Sequence, residues 1–62
     1  MSLKEFRESR GLSQEKFAQI IGFTLSMTSK VETGRAKPSR NFMQKVKDAF
    51  PEIDINEIFF SE

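Results

Sequence analysis

The residues able to do chemistry crowd into "TLSMTSKVETGRAKPSR", residues 24–40. Ser26, Ser29, Lys30 and Thr33 fall at helical spacing and carry small hydroxyls and one ammonium group. Arg35, Lys37 and Arg40 follow within ten residues of Lys30. Such groups donate and accept hydrogen bonds and attract anions; they do not make or break covalent bonds. The chain has no histidine and no cysteine. It therefore lacks the common general base at neutral pH, a thiol nucleophile and the ordinary zinc ligands. Its serines have no base beside them, and no glycine-rich phosphate loop is present. The expectation is a binding protein rather than an enzyme, with no cofactor and no metal.

Charge distribution sharpens that expectation. The 62 residues sum to a net charge of +1, which by itself selects no partner. Residues 28–47 hold six basic side chains (Lys30, Arg35, Lys37, Arg40, Lys45, Lys47) and one acidic one, Glu32. Residues 48–62 hold five acidic side chains and no basic ones. A basic middle beside an acidic end suits one face meeting a polyanion while the other stays clear of it. No stretch approaches the ~20 apolar residues of a membrane span, and "MSLKEF" reads as a helix start rather than a targeting segment. A chain without cysteine fits a reducing, cytoplasmic setting. At this length one domain, 1–62, is expected, with a marginal core in which every apolar residue counts.

The elements that must position these groups all read as helices. Leu3, Phe6, Arg7 and Arg10 share a stripe over residues 2–10, ended by Gly11. Ser13 caps a second helix, with Leu12 and Phe17 spaced as a hydrophobic staple and Phe17, Ala18 and Ile21 on one face. Gly22 ends it. Thr24 caps a third helix running to about Thr33, closed by Gly34. Ser39 caps a fourth, with Phe42, Met43, Val46, Ala49 and Phe50 apolar, and Pro51 closes it. "IDINEIFF" starts a short fifth helix, with Asp54 and Glu57 as capping box and Ile53 and Ile58 as staple. The fold class is all-α, with five short helices.

The third helix is poorly equipped to build a core. Only Leu25, Met27 and Val31 are apolar between its caps, and its intrinsic helix propensity is low. Val31 and Thr28 are expected to face inward, leaving Leu25, Ser26, Ser29, Lys30 and Thr33 outward. Two helices joined by a tight glycine turn, with small Ala18 at their crossing, describe a helix-turn-helix. In the DNA-binding form the second helix of the pair enters the major groove. Small polar side chains let it approach closely, and Lys30 could donate to guanine O6 and N7.

At this point the chain resembles the phage-repressor-type helix-turn-helix domains, the lambda repressor/Cro-like or XRE family. The segments that carry the likeness are "RGLSQEKFA", "IIGFT", "KVETGRAKPS" and "FPEIDINEIFF", and together they span about residues 3–60. The resemblance implies a compact five-helix domain with helices two and three as the reading motif. It implies base contacts from Leu25, Ser26, Ser29 and Lys30. It implies phosphate contacts from Gln14, Thr24, Arg35, Lys37 and Arg40, with Gln14 acting beside the free N–H groups of a helix N-terminus. Arg7 and Glu32 match a structural ion pair between the first helix and the end of the third. The implied partner is a double-stranded DNA operator bound as a homodimer, in a bacterium or its phage, by a transcriptional regulator that represses through occupancy.

Two positions depart from the family pattern. Thr28 stands where Ile or Val is more usual, and Leu25 where a polar base-reading residue is common. Phe60 falls off the apolar face shared by Ile55, Ile58 and Phe59 and is a candidate dimer patch. A second reading is a protein-interaction module of the same fold, such as an antitoxin covering a toxin or a partner of another regulator. Exposure of Ile20, Leu25 and Phe60 would favour it.

Overall fold

The computed structural model describes residues 1–60, folded into α1 (Leu3–Ser9), α2 (Gln14–Ile21), α3 (Leu25–Glu32), α4 (Arg40–Ala49) and a final turn of π-type helix, α5 (Asn56–Phe60). No helix among these residues is long and apolar enough to cross a membrane. The helix starts follow local chemistry. The hydroxyls of Ser13, Thr24 and Ser39 accept from the backbone N–H three residues on, at 3.1, 3.1 and 3.0 Å. Each satisfies one of the donors that a helix N-terminus leaves open. Ser2 and Glu5 form a reciprocal capping box that starts α1: Glu5 N–H donates to Ser2 Oγ, and Ser2 N–H donates to the Glu5 carboxylate at 2.7 Å. Asp54 Oδ1 accepts from Glu57 N–H and starts α5.

The boundaries differ slightly from the sequence expectation. α1 is shorter, because the Arg10 N–H already bonds back to the Arg7 carbonyl and the Gly11 N–H to that of Glu8. α3 ends at Glu32, with Thr33 as its C-cap. The last helix is a single wide turn rather than an α-helix. It sets Ile58 and Phe59 half-buried against the core and leaves Phe60 outside.

The core forms where α1, α2, α4 and the 53–59 segment converge. Leu3, Phe6, Phe17, Ile21, Phe42, Val46 and Ile53 are its buried members. Three of the seven are phenylalanines, and Phe23, Phe50 and Phe59 pack against them. Phe50 stacks on Phe17 (centroids 5.4 Å apart, planes 10° apart) and takes Phe6 edge-on at 5.5 Å. Phe42 meets Phe23 at 4.9 Å and Phe59 at 6.4 Å, both edge-to-face. These offset and perpendicular arrangements suit the ring quadrupole and add about 0.5–1.5 kcal/mol per pair beyond area burial. In a domain this small such increments matter, because net stability is itself only a few kcal/mol.

α2 lies at the centre, packed on both α3 and α4. Buried Ala18 allows the close crossing. Gly22 takes φ +78° at the α2 C-cap, a left-handed conformation that costs an L-residue with a Cβ roughly 1–2 kcal/mol. That one residue turns the chain from α2 into α3.

The last turn of α4 is secured from outside. Lys47 Nζ donates to the carbonyls of Pro51 (2.7 Å) and Ile53 (3.0 Å), a cation placed on carbonyls just past a helix C-terminus. Arg10 lies 4.6 Å above the Phe6 ring and pairs with Glu52 at 3.1 Å, tying the end of α1 to the turn after α4.

Candidate nucleic-acid interface

α3 is attached to the molecule through very little apolar surface. Its one buried residue is Thr28, whose hydroxyl donates to the Thr24 carbonyl at 3.0 Å, so the polar group is satisfied inside the core. Val31 is half-buried against the core cluster. The side chain of Glu32 is also turned inward, 2% exposed, and the rest of the helix faces out or lies at its edge. Leu25, Ser26, Met27 and Lys30 are exposed and Ser29 is partly exposed. Met27 therefore joins the outer side of α3 although its residue type did not mark it for a polar surface. Thr33 donates to the Ser29 carbonyl at 2.9 Å and closes the helix.

Cations lie on this helix and follow it in the chain. Lys30, Arg35, Lys37 and Arg40 are all exposed, and none has a side-chain partner among the described residues. Arg35 N–H and Ala36 N–H both donate to the Lys30 carbonyl, at 2.9 and 3.2 Å, so the loop folds back onto the end of α3. Gly34, at φ +79°, permits that reversal. Arg35 is thereby held next to the helix. Free, exposed cations beside a helix that spends its outer side on small polar groups can attract a polyanion and hydrogen-bond to it.

At the other end of the motif, Gln14 is the first residue of α2. Its side chain is not idle: Nε2 donates to Glu32 Oε1 at 2.9 Å. Glu32 is also the partner of Arg7, whose Nε donates to Oε2 at 2.7 Å and whose Nη2 donates to Oε1 at 3.2 Å. Arg7 Nη1 donates to the Leu12 carbonyl at 2.7 Å. The side chains of Arg7 and Glu32 are only 9% and 2% exposed. The structure thus joins α1, the entry to α2 and the end of α3 through one buried ion pair, and it brings Gln14 into that network. Thr24 is exposed, with its hydroxyl used as the α3 cap. Phe60, at the acidic end of the chain, is 62% exposed and lines one groove with Arg40, Met43 and Ile55.

Sequence reasoning overlooked the link from Gln14 to Glu32. Spacing carries no signal for it, since the two meet only through the crossing of α2 with α3.

The fold and this motif place the chain in a known class, and it belongs to the phage-repressor-type (XRE) helix-turn-helix family. The family's sequence model, described as helix-turn-helix, matches residues 3–58. The chain is 35% identical over 60 residues to the HTH-type transcriptional regulator PuuR of Escherichia coli (strain K12), and equally so to that of Shigella flexneri. That alignment takes in 97% of this chain but 31% of the relative, so the chain spans about a third of the length of those proteins. It is 33% identical over 46 residues to the uncharacterized HTH-type transcriptional regulator YazB of Bacillus subtilis (strain 168), covering 74% of this chain and 67% of the relative. No solved structure gives a significant match.

Proposed function

We propose that this chain is the DNA-binding part of a transcriptional regulator, and that α3 enters the major groove of a double-stranded operator. One observation carries the reading: α3 buries only Thr28 and the ion-paired side chain of Glu32, and leaves its outer side to Ser26, Ser29 and Lys30. In this assignment Leu25, Ser26, Ser29 and Lys30 meet base edges, with Leu25 against a thymine methyl. Gln14, Thr24, Arg35, Lys37 and Arg40 meet phosphates and set register and affinity. Binding as a homodimer places two copies of α3 about one helical turn apart on a two-fold site. Phe60 is the dimer contact. It lines a groove of about 530 Å³ with Met43 and Ile55, bordered by Arg40, Lys47, Glu52 and Asp54, a mixed surface that a second copy would cover. Regulation follows from occupancy of a promoter, which makes the protein a repressor acting in the cytoplasm. The family membership and the names of the relatives support this reading. So does a residue inventory without the usual catalytic groups.

Selection of bound duplexes from a random DNA pool tests it. Recovery of a two-fold sequence supports DNA reading, dimer symmetry and half-site spacing together. A pool that stays random after repeated rounds contradicts sequence-specific recognition.

A second reading is favoured by a specific observation: Ile20, Leu25 and Phe60 are all exposed large apolar residues. These suit a protein partner such as a toxin or another regulator. The slope of DNA affinity against salt separates the two readings, because several phosphate contacts give a steep one and a protein-only module gives none.

A further inference from the structure

Gln14 has a side-chain amide with two faces, one that donates and one that accepts. Left to itself, it would rotate between them. Glu32 removes the choice. A carboxylate only accepts hydrogen bonds, so the amide must turn its NH₂ toward Glu32, and it does so at 2.9 Å. The carboxylate cannot turn away to suit the glutamine, because Arg7 holds both of its oxygens, at 2.7 and 3.2 Å. Arg7 in turn is fixed by the Leu12 carbonyl, two residues before Gln14. Every link from the backbone of α1 to the Gln14 amide is therefore a short, part-buried hydrogen bond.

The geometry points to Glu32 as a positioning residue for Gln14, and we infer that it sets the direction from which Gln14 donates to DNA phosphate. The inference rests on the phosphate role proposed for Gln14. Nε2 carries two hydrogens, and Glu32 takes one. The second remains on the first residue of α2, where the backbone N–H groups of Gln14 and Glu15 precede the first N–H capped by Ser13, that of Lys16. A phosphate there would meet donors already held in place, and would not have to freeze a free side chain on binding. The arrangement also links the clamp to the reading helix. Glu32 is the last residue of α3, so any rotation of α3 displaces the amide that grips the backbone.

The test is a mutant cycle read by fluorescence anisotropy on a labelled mixed-sequence duplex across a salt series. Phosphate contacts are sequence-independent, so no operator is needed. Gln14→Ala in the native background is expected to weaken binding about tenfold, the worth of one charge-assisted hydrogen bond. The log–log salt slope should stay the same, because a neutral amide neutralises no phosphate charge and releases no counterion. The paired variant Arg7→Met/Glu32→Met keeps the net charge, replaces the ion pair with apolar side chains of similar length, and removes the acceptor that orients Gln14. It is expected to match Gln14→Ala in affinity and slope, and adding Gln14→Ala to it should change nothing further. If Gln14→Ala costs as much in that background as in the native one, Glu32 positions nothing and the inference is overturned. If Gln14→Ala is silent in the native protein while Arg35→Ala weakens binding, the inference falls and the DNA reading stands. If the native protein shows no salt-dependent binding at all, the DNA reading itself fails and takes the inference with it.

A second measurement does not depend on the paired variant folding. Side-chain ¹⁵N relaxation on the native protein should show the Gln14 amide nearly as ordered as the backbone, against the averaged amide of exposed Gln19. Equal mobility of the two amides would overturn the inference.

Discussion

Arg7 and Glu32, 25 residues apart in the chain, meet through a 2.7 Å hydrogen bond with both side chains almost wholly out of solvent. No buried side-chain nitrogen or oxygen among the described residues is left without a partner. The pair is thus costly to break from one side and less so to replace from both. Arg7→Ala or Glu32→Ala should lose about 3–5 kcal/mol, because a buried charge is left alone. For so small a domain that approaches the whole stability, and urea denaturation should find either variant largely unfolded at room temperature. Arg7→Met/Glu32→Met should cost less, about 1–3 kcal/mol, because it leaves no lone charge and removes only the donor on the Leu12 carbonyl and the acceptor for the Gln14 amide.

Lys30 and Arg35 are exposed neighbours along the chain to which the proposed interface gives different tasks. Lys30→Ala is expected to relax base preference at one position of the selected site, costing about 1–3 kcal/mol there. Arg35→Ala should weaken all duplexes alike and lower the salt slope by about one. Competition binding against single-base operator variants separates the two behaviours. Identical behaviour of both variants and the native protein would remove α3 and its loop from the interface.

Thr28 is fully buried, and its hydroxyl donates to a carbonyl that already accepts from the Thr28 N–H at 3.1 Å. Removing the hydroxyl therefore orphans nothing. Thr28→Val should be neutral or stabilising by up to about 1 kcal/mol, whereas Thr28→Ala leaves a cavity and should destabilise by about 1 kcal/mol or more. Thermal melts of the two variants should bracket that of the native protein.

Glu5 links helix capping to pH. Its pKa is lowered, first by the hydrogen bond from the Ser2 backbone N–H, then by that with the Ser2 side chain. A carboxylate whose folded pKa lies below its unfolded value adds stability that is complete above the ordinary glutamate range. That contribution is lost as pH falls through the depressed folded value. α1 should fray from its N-terminus on acidification below that ordinary range. The Ser2→Ala variant should show a Glu5 titration midpoint, followed by NMR, shifted back toward the ordinary value. Coincident midpoints in the two proteins would refute the part given to the Ser2 side chain and leave the shift to the backbone N–H alone.

The helix starts were legible because their causes are local. Ser13, Thr24, Ser39 and Asp54 each accept from the backbone N–H three residues on, a relation written in the spacing alone. The Ser2–Glu5 box was equally visible in "SLKE" and was passed over. The π-type turn at Asn56–Phe60 was not legible, because α and π geometry share the same apolar pattern over so few residues.

The amino-acid sequence by itself determined the helical class, the caps and turn glycines, and the concentration of cations after α3. It also determined that the inner side of α3 has few apolar residues. Each of these depends on residue type and on neighbours within one helical turn. Only the tertiary structure decided that Gln14 donates to Glu32, that Arg10 reaches Glu52, and that Lys47 holds the carbonyls of Pro51 and Ile53. Those contacts depend on how the helices cross and where the chain turns, which the summed packing of the whole core selects and no local pattern encodes.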